Sequence, residues 1–164
     1  MIVVLHNIRS LYNVGSIFRT ADAVGVEKIY LCGITPKPVD EFGKPRSQLI
    51  KVSLGAEKYV PWEKVKLTTR LIDRLKKDGY KVLSVEQNKN SIPYYKFPKS
   101  YILSASWRTK LCLVLGSEVN GLSQSILKKS DKILEIPMFG KKESLNVSVA
   151  FGIVAYYLTF GYNK

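Results

Sequence analysis

Acidic residues are scarce in this chain, with 13 Asp and Glu against 26 Lys and Arg in 164 residues. Histidine occurs once, as His6, and cysteine twice, as Cys32 and Cys112. So few nitrogen and sulfur ligands, with no CxxC pair, argue against a zinc site, and no metal is expected. Each cysteine lies inside an apolar run, the usual setting of a reduced, buried thiol in a cytoplasmic protein. No stretch of eighteen apolar residues occurs, so no membrane span is expected. The opening Met1-Ile-Val-Val-Leu-His6 lacks a basic n-region and a long apolar h-region, and reads as a strand rather than a secretion signal. A G-x-G-x-x-G fingerprint and a Walker phosphate loop are both missing. No Ser/His/Asp set can be argued by spacing, and a lone histidine at a strand end is more often structural than a base.

The charge that is present is strongly of one sign. A formal net charge of +13 suits a polyanionic partner, since each phosphate neutralised releases counterions. General solubility is the alternative reading of the same number. The length fits one domain with a sizeable core. Hydrophobic residues at 46% and charged residues at 24% are ordinary for a globular protein.

Strand and helix patterns alternate along the chain. Ile2–Leu5, Lys28–Cys32, Lys81–Val85, Lys110–Leu115 and Lys132–Ile136 read as buried strands. Val14, Ile17, Phe18, Ala21 and Val24 recur at helical spacing, with Asn13 as the expected N-cap and Gly25 as the stop. Further helices are expected over 47–54, around Leu67–Leu75 closed by Asp78-Gly79, over 123–129, and over 146–160, with an extended piece near 59–62. The last helix is apolar nearly all round and should be deeply packed. Residues 88–109 read as irregular. The alternation predicts an α/β fold with a parallel sheet covered on both faces.

Three loops follow strands, and ligands of open α/β sheets bind beyond the carboxyl ends of strands. The first, His6 to Asp22, carries Arg9 in the loop and Arg19 off the apolar stripe of its helix; an anion site and a capped helix with solvated arginines are equally open readings. The second, Leu113 to Ser123, sets Glu118 between Gly116 and Gly121. Glycines there allow close backbone approach, although an ordinary turn with Glu118 capping a helix fits as well. In the third, Ile136 to Ala150, Ser144 and Asn146 stand at the mouth of an apolar helix, and Lys141 and Lys142 are free to meet phosphate or solvent. Composition and spacing stop at a basic α/β protein with a ligand site at the strand ends.

Together the three segments resemble the SpoU (TrmH-like) family of the SPOUT superfamily of RNA methyltransferases. The first motif stands here as Asn7-Ile-Arg-Ser with Asn13-Val-Gly-Ser-Ile-Phe-Arg-Thr-Ala-Asp22. The second is Gly116-Ser-Glu-Val-Asn-Gly-Leu122, and the third Ile136-Pro-Met with Glu143-Ser-Leu-Asn-Val-Ser-Val-Ala150. They occur in the family's order, and the catalytic domain would span residues 1–164 as one unit. The resemblance implies a SPOUT fold with a deep C-terminal trefoil knot, bound S-adenosyl-L-methionine, a homodimer, and methylation of a ribose 2′-hydroxyl of tRNA, or of rRNA. A non-catalytic RNA-binding or ribosome-associated protein on the same scaffold is the alternative.

Carried over by position, the resemblance assigns cofactor contacts to Val85, Gly116, Ile136, Met138, Ser144 and Leu145. Arg19 matches the arginine of the reaction centre, where a cation would stabilise the alkoxide. Asn13, Glu118, Ser144 and Asn146 match positions that orient Arg19, ribose or cofactor. Arg9, Arg19, Lys141 and Lys142 are the expected RNA contacts. Larger relatives carry an N-terminal RNA-binding domain or long basic extensions that this sequence does not show. Affinity should then come from the domain surface, with Lys89, Lys96, Lys99, Arg108 and Lys110 interleaved with Tyr94, Tyr95, Phe97 and Trp107 for base stacking. Core aromatics with solvated lysines would explain the same residues.

Overall fold

A computed structural model describes residues 1–98 and 110–161. Five strands read from the sequence form, as β1 (Ile2–His6), β2 (Lys28–Cys32), β4 (Lys81–Val85), β6 (Leu111–Leu115) and β7 (Lys132–Glu135). Two more complete the sheet: β3 (Trp62–Val65) and the short β5 (Ile92–Pro93). The extended piece expected near 59–62 thus lies further on, after a 3-10 turn at Ala56–Lys58. Part of the segment read as irregular pairs with the sheet edge, Ile92 opposite Leu134. Two residues carry too little pattern to be read as a strand.

The strand order is β3-β2-β1-β6-β4-β7-β5, and every pairing is parallel. Parallel strands hidden on both faces read as continuous apolar runs, and Leu111-Cys-Leu-Val-Leu115 is buried at all five positions. The twofold alternation of a strand then splits the core. Val3, Leu5, Ile29, Leu31 and Leu113 pack on one face with helices α1 (Leu11–Ala23) and α5 (Val147–Phe160). Val4, Tyr30, Val82, Cys112 and Val114 pack on the other with α3 (Thr68–Lys77) and the brief α4 (Gln124–Leu127). Helix α2 (Ser47–Ser53) lies against α1. Among the described residues no helix is long and apolar enough to cross a membrane.

Two helix expectations need correction. Helix α1 begins at Leu11 with Ser10 as its N-cap, the Ser10 hydroxyl accepting from the Asn13 amide at 3.2 Å. Asn13 therefore sits in the first turn with its side chain free for other partners. Helix α5 is not covered all round. Val147, Phe151, Val154, Ala155 and Leu158 are buried, whereas Val149, Tyr156 and Phe160 remain about half exposed at 50%, 48% and 47%. Composition shows that a helix is apolar, not how many neighbours it finds.

Candidate active site

Because all strands run the same way, every strand-to-helix loop opens on one edge of the sheet. The loops after β1, β6 and β7 meet there, and a chain of hydrogen bonds ties them together. An ionised carboxylate can only accept, so Glu118 sets the direction of the chain. Its oxygens receive the amides of Arg9 (3.1 Å) and Ser10 (3.3 Å) and the Asn13 Nδ2 (2.9 Å). With Nδ2 committed, Asn13 Oδ1 must accept, and it takes Asn146 Nδ2 at 3.0 Å. Asn146 Oδ1 in turn accepts from the Ser148 amide at 2.9 Å, which caps α5. One polar thread thus joins the three loops. Burial pushes the Glu118 carboxyl up, but the hydrogen bonds from Asn13 and from backbone amides outweigh it and hold the group below the usual carboxylate range. Glu118 caps no helix here; Ser123 is the N-cap of α4.

Beyond the ends of β4, β6 and β7 lies a cleft of about 330 Å³, at the small end of ligand sites, roughly 300–1,000 Å³. Val85, Gly116, Ile136, Met138, Ser144 and Leu145 all line it. Gly116 is required by the turn itself. A Cβ there would stand 2.5 Å from the Gly121 carbonyl carbon and 2.7 Å from the Leu122 nitrogen. Gly121, at φ 58°, has no room for a side chain against Glu86. The Glu86 carboxylate also accepts from the Leu122 amide at 2.7 Å, and Gln87 Nε2 donates to the Ile136 carbonyl at 2.7 Å. Neither Glu86 nor Gln87 was expected from the sequence. Their signal was position, two polar residues directly after a buried strand.

Charge gives the cleft its character. Glu86, Glu118 and Glu135 line it, and among the described residues no Lys or Arg does, in a chain where basic residues outnumber acidic ones two to one. Such a cavity is hostile to a pyrophosphate and hospitable to a cation.

Other expected residues lie elsewhere. Arg19 is exposed on α1 and does not line the cleft. Lys141 and Lys142 are exposed on the loop after β7, beside Phe139, which is 98% exposed. Phe97 is buried in the core and so offers no face to RNA, whereas Lys110 is exposed and spends one donor on the Asp78 carbonyl at the end of α3. Tyr94 is packed edge-on against Tyr95 and Tyr157, while Tyr95, Lys89 and Lys96 are exposed. Lys99, Trp107 and Arg108 fall outside the described residues.

The model of the SpoU rRNA Methylase family matches residues 1–156. Staphylococcus aureus proteins assigned by name to the TrmH family of tRNA/rRNA methyltransferases are 32% identical over 155 residues, 94% of this chain and 56% of theirs. The chain thus spans about half the length of those relatives. The tRNA (guanosine(18)-2′-O)-methyltransferase of Aquifex aeolicus is 31% identical over 156 residues, covering 95% of this chain and 67% of that protein. The crystal structure of an A. aeolicus TrmH/SpoU tRNA modifying enzyme superposes with a TM-score of 0.79 at 30% identity, over 96% of this chain and 73% of that one.

Proposed function

Because the chain belongs to the SpoU rRNA methylase family, we propose that it transfers a methyl group from S-adenosyl-L-methionine to a ribose 2′-hydroxyl of RNA. The observation that carries this reading is the cleft lined by three carboxylates and, among the described residues, by no cation. When bound, S-adenosylmethionine would supply an electrophilic methyl on a cationic sulfonium; its transfer to the ribose 2′-oxygen would leave S-adenosylhomocysteine as a neutral thioether and release the hydroxyl proton to water. Leu115, Ile136, Met138 and Leu145 offer apolar walls to an adenine, and Ser144 and Glu118 offer polar atoms to its ribose and amino-acid portion. A dinucleotide cofactor would put its pyrophosphate against the same carboxylates.

The residues then divide the work. Glu118, Asn13 and Asn146 hold the three loops in register, a positioning role. Arg19 is the catalytic cation that stabilises the developing alkoxide, because a guanidinium stays charged and cannot serve as a base. It does not line the cleft of its own chain. The outward side of α1, which carries Arg19, and the half-exposed apolar side of α5 support a homodimer that brings Arg19 to the cleft of the other protomer. Arg9, Lys141 and Lys142 would meet RNA phosphates. Residues 1–164 would form one catalytic domain, with the C-terminal segment threaded as a deep trefoil knot. In support, the 116–123 and 136–146 loops border one cleft across β4. We place the protein in the cytoplasm, where its two buried free thiols would stay reduced, and favour tRNA over rRNA on the likeness to the A. aeolicus enzyme.

The test is incubation with methyl-labelled S-adenosylmethionine and total tRNA or total rRNA in separate reactions, followed by digestion to nucleosides. Label in 2′-O-methylated nucleosides is expected, higher from tRNA. Arg19→Ala should lose about 100-fold in rate or more with an unchanged melting temperature. Absence of label in both RNAs would overturn the reading.

A further inference from the structure

A second cleft, of about 210 Å³, opens beside the first at the ends of β1 and β2. Ser117, Asn120 and Gly121 line both, so a single turn of chain is their common wall. That wall is pinned from two sides, by Glu86 accepting from Leu122 and by Glu118 accepting from Arg9 and Ser10.

The floor of the second cleft is a fixed run of hydrogen bonds. Asn7 takes a left-handed backbone, φ 56°, and its Oδ1 accepts from the Ile34 amide at 3.0 Å. That fixes the amide, so Nδ2 donates to His6 Nε2 at 3.1 Å. The ring proton then resides on Nδ1, which donates to Thr68 Oγ1 at 2.8 Å. His6 is a fixed strut, with neither nitrogen open to a substrate.

The rim is the opposite. The Arg9 guanidinium and the Asn120 carboxamide make no hydrogen bond or ion pair among the described residues, and Ile34 is 61% exposed. Among the described residues no carboxylate lines this cleft, whereas three line its neighbour and no cation does. Two adjoining cavities of opposite electrostatic sense share one wall. The first suits a cation and the second an anion. A guanidinium matches phosphate with two parallel hydrogen bonds. A carboxamide offers one donor face and one acceptor, the complement of a base edge. A projecting apolar side chain can pack against a base plane, as unstacked bases of single-stranded RNA require.

We propose that the second cleft receives one unstacked ribonucleotide of the RNA, with its phosphate on Arg9, its base against Ile34 and the base edge at Asn120. The assignment rests on the methyltransferase reading, since an RNA whose acceptor 2′-hydroxyl enters the first cleft would set a neighbouring nucleotide beyond the shared wall. It makes Asn120 a specificity residue and Ile34 the packing surface, neither of which the family motifs single out for that role.

The experiment maps amide chemical shifts of isotope-labelled protein, with and without S-adenosylhomocysteine, on titration with the four ribonucleoside 5′-monophosphates and their unphosphorylated nucleosides. Shifts should concentrate at residues 6–9, 34 and 117–123. Arg9→Ala should weaken the monophosphates about 5-fold or more and leave the nucleosides unchanged, and Asn120→Asp should reorder the four bases. Shifts centred on the first cleft, shifts scattered over the basic surface, or no shifts at the solubility limit of the nucleotides would each overturn the proposal. So would an Arg9→Ala variant that binds monophosphates like the parent. The methylation assay separates the two readings. Labelled RNA without shifts here removes only the nucleotide pocket, and shifts here with no labelled RNA remove only the methyltransferase.

Discussion

Replacing Glu118 by Gln changes one oxygen to an amide nitrogen at the point where the first two motif loops join. The carboxylate now accepts three hydrogen bonds, from Arg9, Ser10 and Asn13, spread over two oxygens. A carboxamide has one accepting oxygen. If that oxygen keeps Ser10 and Asn13, the new NH2 faces the Arg9 amide, donor against donor. Charge-assisted bonds contribute about 1.5–3 kcal/mol each when sheltered. Glu118 is exposed, so solvent screening reduces this to a total of about 1–2 kcal/mol. For a chain of this size that corresponds to about 2–8 °C in melting temperature. Because the folded carboxyl lies below its ordinary value, its contribution is fully present above the unfolded value of about 4.3. It is lost as pH falls through the lower folded value. The gap between Glu118→Gln and the parent should therefore hold at neutral pH and close in acid. In Asn13→Ala, one of the three donors is already gone, and Glu118→Gln should cost less by about 0.5–1 kcal/mol, a coupling that a double-mutant cycle resolves. Equal melting temperatures at neutral pH, or additive costs, would refute a Glu118-centred clamp.

Gly116→Ala should cost about 1–3 kcal/mol in urea unfolding, because its methyl meets backbone that Glu86 and Glu118 hold in place. A parental midpoint would mean that the loops part freely. Burial holds the His6 pKa below its ordinary value. Its stabilising contribution is complete above about pH 6.5 and declines as pH falls from there toward the folded value. His6→Gln should flatten that part of the stability–pH curve, and an identical slope would mean that His6 is not held neutral by burial. Burial pushes the Cys32 thiol up to about 11 and Cys112 higher still. Thiol reagents near neutral pH should therefore modify both only at the rate at which the sheet opens, and rapid labelling of native protein would show that the strands are not sealed.

The sequence by itself carried the fold class and most of the sheet, because strands buried on both faces leave continuous apolar runs that no amphipathic helix produces. It carried the three loops too, since Gly, Asn, Ser and charge at strand ends are poor packing and good chemistry. What it left open were relations between distant residues. Asn13 and Asn146 are 133 positions apart, and only the parallel sheet, which puts all the loops on one edge, brings their amides to 3.0 Å. Asn13 was read as a cap because cap preference is local, and Ser10 won because its hydroxyl reaches the Asn13 amide. Gly116 lines the cleft where the sequence places it, and the turn adds a second demand for glycine that spacing cannot reveal, since a Cβ would meet the backbone of Gly121. The sign of charge in each cleft was also decided by tertiary structure alone. Composition counts charges, whereas the order of strands determines which of them face the same cavity.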